Sequence, residues 1–209
     1  MSDKPYFDEV AHKWDKMRES FFSERVREKA ISIADVQSNE LAADIGAGTG
    51  FITEGLIQKG LRVIAVDQSE AMLREMKRKF RIMDVIYRSG VDYIVCKVEN
   101  LPIESETVDI VFANMLLHHV ENPGVTIKEM VRILKPGGRL VITDLDKHNF
   151  EFLKTEHHDR WMGFKREDVK SWFIEAGLNK VRVECVGECC CSCEDEDVSI
   201  SIFATSGEK

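Results

Sequence analysis

The sequence predicts an α/β fold: a doubly wound, seven-stranded, mostly parallel sheet of Rossmann-like type, with an antiparallel last strand and a helical lid at the N-terminus. Three observations predict it. From residue 41 onward, short apolar runs alternate with amphipathic stretches of helical period. Regular alternation of strand and helix builds a parallel sheet with helices on both faces. The last two apolar runs have no helical stretch between them, so the final strand returns antiparallel to its neighbour.

The 209 residues suit one domain, divided into an N-terminal helical cap over 1–36 and a core over 37–209. Residues 5–35 read as helix, with Phe7, Val10, Ala11, Trp14 and Phe21, then Val26, Ala30, Ile33 and Ala34, on an apolar face. Leu41–Ile45 is the first strand, followed by glycines and a helix carrying Phe51, Ile52, Leu56 and Ile57. Arg62–Val66 is the second strand, ending at Asp67. Ser69 then suits the N-cap of a helix with Met72, Leu73 and Met76 inward. Tyr93–Val98 and Val108–Ala113 are the next strands, while residues 81–91 carry no decisive pattern. Pro123 opens a helix bearing Ile127, Met130, Val131 and Leu134, ended by Pro136-Gly137-Gly138. Arg139–Thr143 is the fifth strand, Lys165–Ala176 a helix capped by Gly177, and Lys180–Val186 and Val198–Ala204 the closing pair.

Composition narrows the function. With 29 Lys+Arg against 37 Asp+Glu the net charge is −8, a poor basis for binding nucleic acid, whose phosphates need a basic patch. The basic residues in Arg74–Arg81 fall at helical spacing and read as a solvated face. Met1–Val10 lacks an apolar signal core, and no apolar run approaches the ~20 residues that span a bilayer, so a cytoplasmic chain without membrane partners is expected. Five of the six cysteines lie between Cys185 and Cys193, too close together to staple distant segments, and read as reduced thiols.

Gly46-Ala47-Gly48-Thr49-Gly50 follows a strand and opens a helix, where glycines permit a tight turn and close approach of backbone to a ligand. A dinucleotide fingerprint requires a third glycine where Phe51 stands, and the lysine of a phosphate loop is absent. Asp44, ending the first strand, would repel a pyrophosphate but suits a ligand bearing ammonium or sulfonium charge. Asp67, 21 residues after Gly46, can accept hydrogen bonds from both hydroxyls of a ribose, or cap the next helix.

Here the chain resembles the class I S-adenosylmethionine-dependent methyltransferases, in particular the small-molecule group with the ubiquinone/menaquinone methyltransferases. The resemblance covers residues 40–145. It is carried by Asp44-Ile45-Gly46-Ala47-Gly48-Thr49-Gly50, Ala65-Val66-Asp67-Gln68-Ser69, Glu99-Asn100-Leu101-Pro102 and Val108-Asp109-Ile110-Val111. Asn114-Met115-Leu116-Leu117-His118-His119-Val120 and Leu134-Lys135-Pro136-Gly137-Gly138 complete it. The resemblance implies S-adenosylmethionine as cofactor, with Gly46, Ala47 and Gly48 along its methionine and Asp44 holding the ammonium through water. It further implies Asp67 on the ribose, Gln68, Met72, Val98 and Glu99 around the adenine, and Asn114 near the sulfonium. Lys97 stands where the family usually has an Asp that accepts from the adenine amino group, so that contact falls to backbone or to Glu99.

The acceptor side is less defined. His118 and His119 are candidates for a general base, as are His157 and His158 in the loop Glu156-His157-His158-Asp159-Arg160-Trp161, though each pair also suits a structural role. Cys185, Cys189, Cys190, Cys191 and Cys193 precede the last strand and so belong to the same end of the sheet as the glycine loop. Thiolates this dense suit zinc, an iron–sulfur cluster or a soft metalloid, but the spacing matches no standard finger, has no paired C-x-x-C, and the acidic neighbours Glu188 and Glu194–Asp197 oppose free thiolates. Three functions remain open: methyl transfer to a small thiol or metalloid acceptor, carbon or oxygen methylation of a quinone-like metabolite, and metal sensing by a cofactor-binding module.

Overall fold

The computed structural model describes residues 4–87, 90–156, 158–190 and 199–209, with the backbone alone at 82–87, 152, 156 and 188–190. Helix α1 (Lys4–Val10), a 3₁₀ turn (Ala11–Lys13), α2 (Trp14–Arg18) and α3 (Glu24–Ala34) precede the sheet. There follow β1 (Leu41–Ile45), α4 (Phe51–Gln58), β2 (Arg62–Asp67), α5 (Glu70–Tyr87), β3 (Val91–Val95), β4 (Val108–Asn114) and a 3₁₀ turn at Leu117–His119. The chain continues through α6 (Pro123–Ile133), β5 (Leu134–Leu145), α7 (Phe152–Glu156), α8 (Arg166–Glu175), β6 (Asn179–Cys190) and β7 (Ile200–Glu208).

The seven strands lie in the order β3-β2-β1-β4-β5-β7-β6, and β7 runs antiparallel to both its neighbours while the others are parallel. The winding reverses between β1 and β4, leaving at the carboxyl ends of those strands the crevice where this architecture takes its ligands. Both sheet faces are covered. Along β1, Ala42 faces the layer of α3, α4 and α5, and Ala43 and Ile45 face that of α6 and α8. A strand buried on both sides reads as a continuous apolar run, which is why Leu41–Ile45 was recognisable.

Three expectations are corrected. The N-terminal segment is not one helix: it bends at residues 11–13 and breaks after Arg18. Ser23 accepts from the Arg25 amide and starts α3 afresh. Arg18, buried, donates to the Phe22 carbonyl and lies 4.2 Å over the Phe51 ring, so the break carries Phe22 into the core. Next, β3 ends at Val95, earlier than expected, because the Cys96 amide closes on the Asp67 carbonyl and the chain turns. Finally, α6 stops at Ile133, before the Pro-Gly-Gly segment, since Leu134 is already extended and begins β5. The unassigned stretch continues α5 to Tyr87. Among the described residues no helix is long and apolar enough to cross a membrane.

Candidate active site

A cavity of about 360 Å³ opens at the carboxyl ends of β1, β2 and β4. The glycine loop forms its floor. The amides of Gly46 and Ala47 both donate to the Val66 carbonyl, at 2.8 and 2.9 Å, which pins the loop to the end of β2. Gly46 has φ +73°, and a Cβ there would stand 2.7 Å from the Leu116 side chain. Gly50, with φ +92°, lies against Phe80 and Met76 of α5, where a Cβ would approach to 2.7 and 2.8 Å. The loop is therefore glycine-rich for two reasons: left-handed backbone and close packing beneath it.

Asp67 lines the cavity and is held at both oxygens. One accepts from the Ser69 amide and the other from the Gly48 amide, each at 2.8 Å. It thus joins β2, the start of α5 and the glycine loop, and a carboxylate so held keeps acceptor capacity for a ligand hydroxyl. Burial pushes its pKa up, against the pull of the Ser69, Gly48 and Gln68 amides. Gln68, Met72, Lys97, Val98 and Glu99 form one end of the cavity, and Asn114, whose side chain accepts from Thr143, stands at the other side of Gly46.

Asp44 is placed differently from its neighbours in the expected set. The pleat turns it with Ala42 toward α4, where one oxygen accepts from the Thr53 amide at 3.0 Å and its hydroxyl at 2.6 Å. It is fully buried and does not line the cavity. Burial raises its pKa to about 6, against the two Thr53 hydrogen bonds, and the nearby Asp67 charge adds to the rise.

The N-terminal helices close the cavity from above. Tyr6, Phe7 and Trp14 line it, as does Phe21 beyond α2. Two carboxylates fasten this cover to the start of α5 and the glycine loop: Asp8 accepts from the Ser69 hydroxyl at 2.6 Å, and Asp15 from the Thr49 hydroxyl at 2.5 Å. Lys79 reinforces Asp15 at 3.1 Å. Hydrogen bonds from Lys4 and Ser69 hold the Asp8 pKa below its ordinary value.

Beside the aromatic wall stand His118 and His119. His118 Nδ1 lies 2.7 Å from Oδ1 of Asp144, a fully buried carboxylate that also accepts from the Leu117 and Leu145 amides. This fixes the imidazole with Nε2 directed away from Asp144. His119 lies beside it, ring centroids 4.2 Å apart, and meets the edge of Phe7 at 5.1 Å. The loop after β5 brings Asp159 to the same place. The amides of Arg160 and Trp161 both donate to the His118 carbonyl, and the Trp161 indole donates to the Val120 carbonyl. Asp159 Oδ1 then lies 3.8 Å from His118 Nε2 and 4.0 Å from His119 Nε2. Tyr6 faces this group; burial first, then the charges of Asp159 and Glu9, push its phenol pKa up.

The remaining candidates fall elsewhere. His158 is exposed and packs against Tyr6 with ring centroids 4.8 Å apart, without lining the cavity; His157 lies outside the described residues. Cys185 is exposed on β6 and does not line the cavity, nor does Cys96. Cys189 and Cys190 continue the β6 ladder opposite Ser201 and Ile200, and Cys191 and Cys193 lie outside the described residues. Asp144 was not anticipated, because nothing local in Thr143-Asp144-Leu145 distinguishes a carboxylate that will meet a histidine 26 positions away.

A family model described as "Methyltransferase domain" matches residues 43–142. A demethylmenaquinone methyltransferase from Thermobifida fusca is 32% identical over 175 residues, covering 82% of this chain and 67% of the relative. A ubiquinone/menaquinone biosynthesis C-methyltransferase from Escherichia coli is 31% identical over 147 residues, covering 68% of this chain and 58% of the relative. The chain thus matches roughly half to two thirds of the length of such curated relatives. The crystal structure of a SAM-dependent methyltransferase from Aquifex aeolicus superimposes with a TM-score of 0.73 at 21% identity, covering 96% of this chain and 97% of that one. Together with the glycine loop below the cavity and Asp67 at its wall, these likenesses show that the chain belongs to the class I S-adenosylmethionine-dependent methyltransferases.

Proposed function

We propose that this methyltransferase adds its methyl group to a ring carbon of a small hydroxylated aromatic acceptor of the quinol type. The observation that carries the reading is the lining of the cavity: the aromatic residues Tyr6, Phe7 and Trp14 adjoin the polar group of His118, His119 and Asp159. A flat apolar ring fits against the first and an acidic hydroxyl against the second. The names of the two relatives, both quinone-biosynthesis methyltransferases, support the same acceptor class.

In this reading the cofactor runs along Gly46, Ala47 and Gly48, its ribose hydroxyls on Asp67 and its adenine beside Gln68, Met72, Val98 and Glu99. Asp44, behind the loop, acts on the ammonium only indirectly. The acceptor hydroxyl loses its proton, and the ring carbon beside it becomes nucleophilic. That carbon's electron pair forms the new bond to the methyl group while the methyl–sulfur bond breaks, leaving neutral S-adenosylhomocysteine. The ring proton is then lost to solvent, restoring aromaticity. Holding the two partners in line is the main contribution the protein makes to such a displacement.

Methyl-labelled S-adenosylmethionine, offered anaerobically with reduced quinols, phenols, amines, thiols and arsenite, tests the assignment. Label is expected on carbon of a quinol. Label entering only thiols or arsenite would overturn it and return the cysteine-bearing strand β6 to first place.

A further inference from the structure

We propose that His118, His119 and Asp159 form a binding site for a divalent metal ion of the zinc class at the acceptor end of the cavity. One ring nitrogen each of His118 and His119 and one Asp159 carboxylate oxygen all lie within 4.8 Å of one another. The two histidine–carboxylate separations, 3.8 and 4.0 Å, are too long for hydrogen bonds. In a tetrahedral zinc site, with bonds of about 2.0–2.1 Å, ligand atoms stand roughly 3.4 Å apart. The two histidine–carboxylate separations therefore need to close by about half an ångström to hold an ion between them.

The surroundings are those of a built site. Asp144 behind His118 holds Nδ1 and turns Nε2 forward, the carboxylate–histidine arrangement that orients and strengthens metal-binding imidazoles. Asp144 itself is fixed by two backbone amides, so the orientation is rigid. The histidines and the carboxylate come from different segments, yet the Arg160 and Trp161 amides bind the His118 carbonyl and lock one segment to the other. Two imidazoles and one carboxylate suit a zinc-class ion, not calcium or magnesium, which prefer oxygen alone. Three protein ligands leave a coordination position open, as in catalytic zinc sites, and all three residues line the cavity.

The site deepens the proposed function and rests on it for the acceptor's identity. A hydroxyl oxygen entering the open position would bind the ion, and its proton would pass to water. The resulting oxyanion is the activated acceptor, and the ion is neither oxidised nor reduced.

Cobalt(II) serves as the probe, because thiolate ligation adds an intense charge-transfer band that a histidine–carboxylate site lacks. It is titrated into the chelator-treated full chain and into a variant with Cys185, Cys189, Cys190, Cys191 and Cys193 replaced by Ser. One equivalent is expected to bind the cysteine-free variant without a thiolate band. In that background, His119→Ala and Asp159→Asn should each weaken binding at least tenfold, and Asp144→Asn should weaken it to a lesser degree. S-adenosylhomocysteine affinity, measured on the same samples, should persist and reports that the fold is intact. Binding abolished by the cysteine replacements, or unchanged in His119→Ala with Asp159→Asn, overturns the site. Absence of methyl transfer to quinols would overturn the acceptor and leave the cobalt result standing.

Discussion

Cofactor affinity should depend on pH through Asp44, although Asp44 does not reach the cavity. Its pKa of about 6, against 3.8 in an unstructured chain, means that the unliganded protein holds it largely neutral at pH 5. A cofactor bringing ammonium and sulfonium charge to the far side of the loop favours the carboxylate, so binding is linked to loss of the proton. Taking the ionised form as the binding form, the fraction competent falls about tenfold from pH 7 to pH 5, equivalent to about 1.4 kcal/mol. The sign in the free protein is the reverse of that for an ordinary paired carboxylate. A raised pKa contributes stability that is complete below about pH 3.8 and lost as pH rises through about 6. Calorimetric titration with S-adenosylmethionine across pH 5–7 reads the affinity below the range where the cofactor's own amine titrates. Asp44→Asn keeps a carbonyl for the Thr53 donors and should reduce the slope, leaving the part that comes from Asp67, whose pKa is also raised. An affinity constant from pH 5 to 7 in the wild type, or an equal slope in the variant, would refute the linkage.

Two further perturbations address the loop. Asp67→Ala should weaken S-adenosylmethionine binding by about 1.5–3 kcal/mol through loss of charge-assisted bonds to the ribose, and unchanged calorimetric affinity in a folded variant would show that Asp67 serves only Gly48 and Ser69. Gly50→Ala should cost about 2–4 kcal/mol in urea unfolding, because strain at φ +92° adds to collision with Phe80 and Met76. Gly137→Ala, at φ +78° with open space around it, should cost only about 1 kcal/mol; equal losses at the two positions would remove the packing argument.

What was legible in the sequence follows from how local each determinant is. The bounds of β1 and the run of β2 to Asp67 could be read because central parallel strands are apolar on both faces and end at glycine or charge. The glycine loop was readable because its conformation is a property of its own residues. The break between α2 and α3 was not, since Phe21 and Phe22 satisfy helical period and only tertiary contact of Arg18 and Phe22 with Phe51 selects the turn. On the acceptor side, the histidine pair was visible, but its meaning depends on Asp144 and Asp159, which arrive from one strand and one loop far along the chain. The aromatic cover was visible only as a helix face, because the same apolar residues serve a lid or a core equally well.

The antiparallel return of β7 also decides where other chains can be attached. The strand carries residue 209 to the opposite end of the sheet, where its backbone exchanges hydrogen bonds with Gly137 and Gly138 and its ammonium bonds the Leu134 carbonyl. From Gly138 to Leu145 the sheet extends about 20 Å toward the cavity, at the usual strand rise. Tyr6 and Phe7, by contrast, sit on the cavity wall only a few residues after the start of α1. A reporter, surface tether or second module joined after Lys209 emerges on the side remote from ligand exchange. One joined before Lys4 emerges a few residues from Tyr6 and Phe7 on the cavity wall.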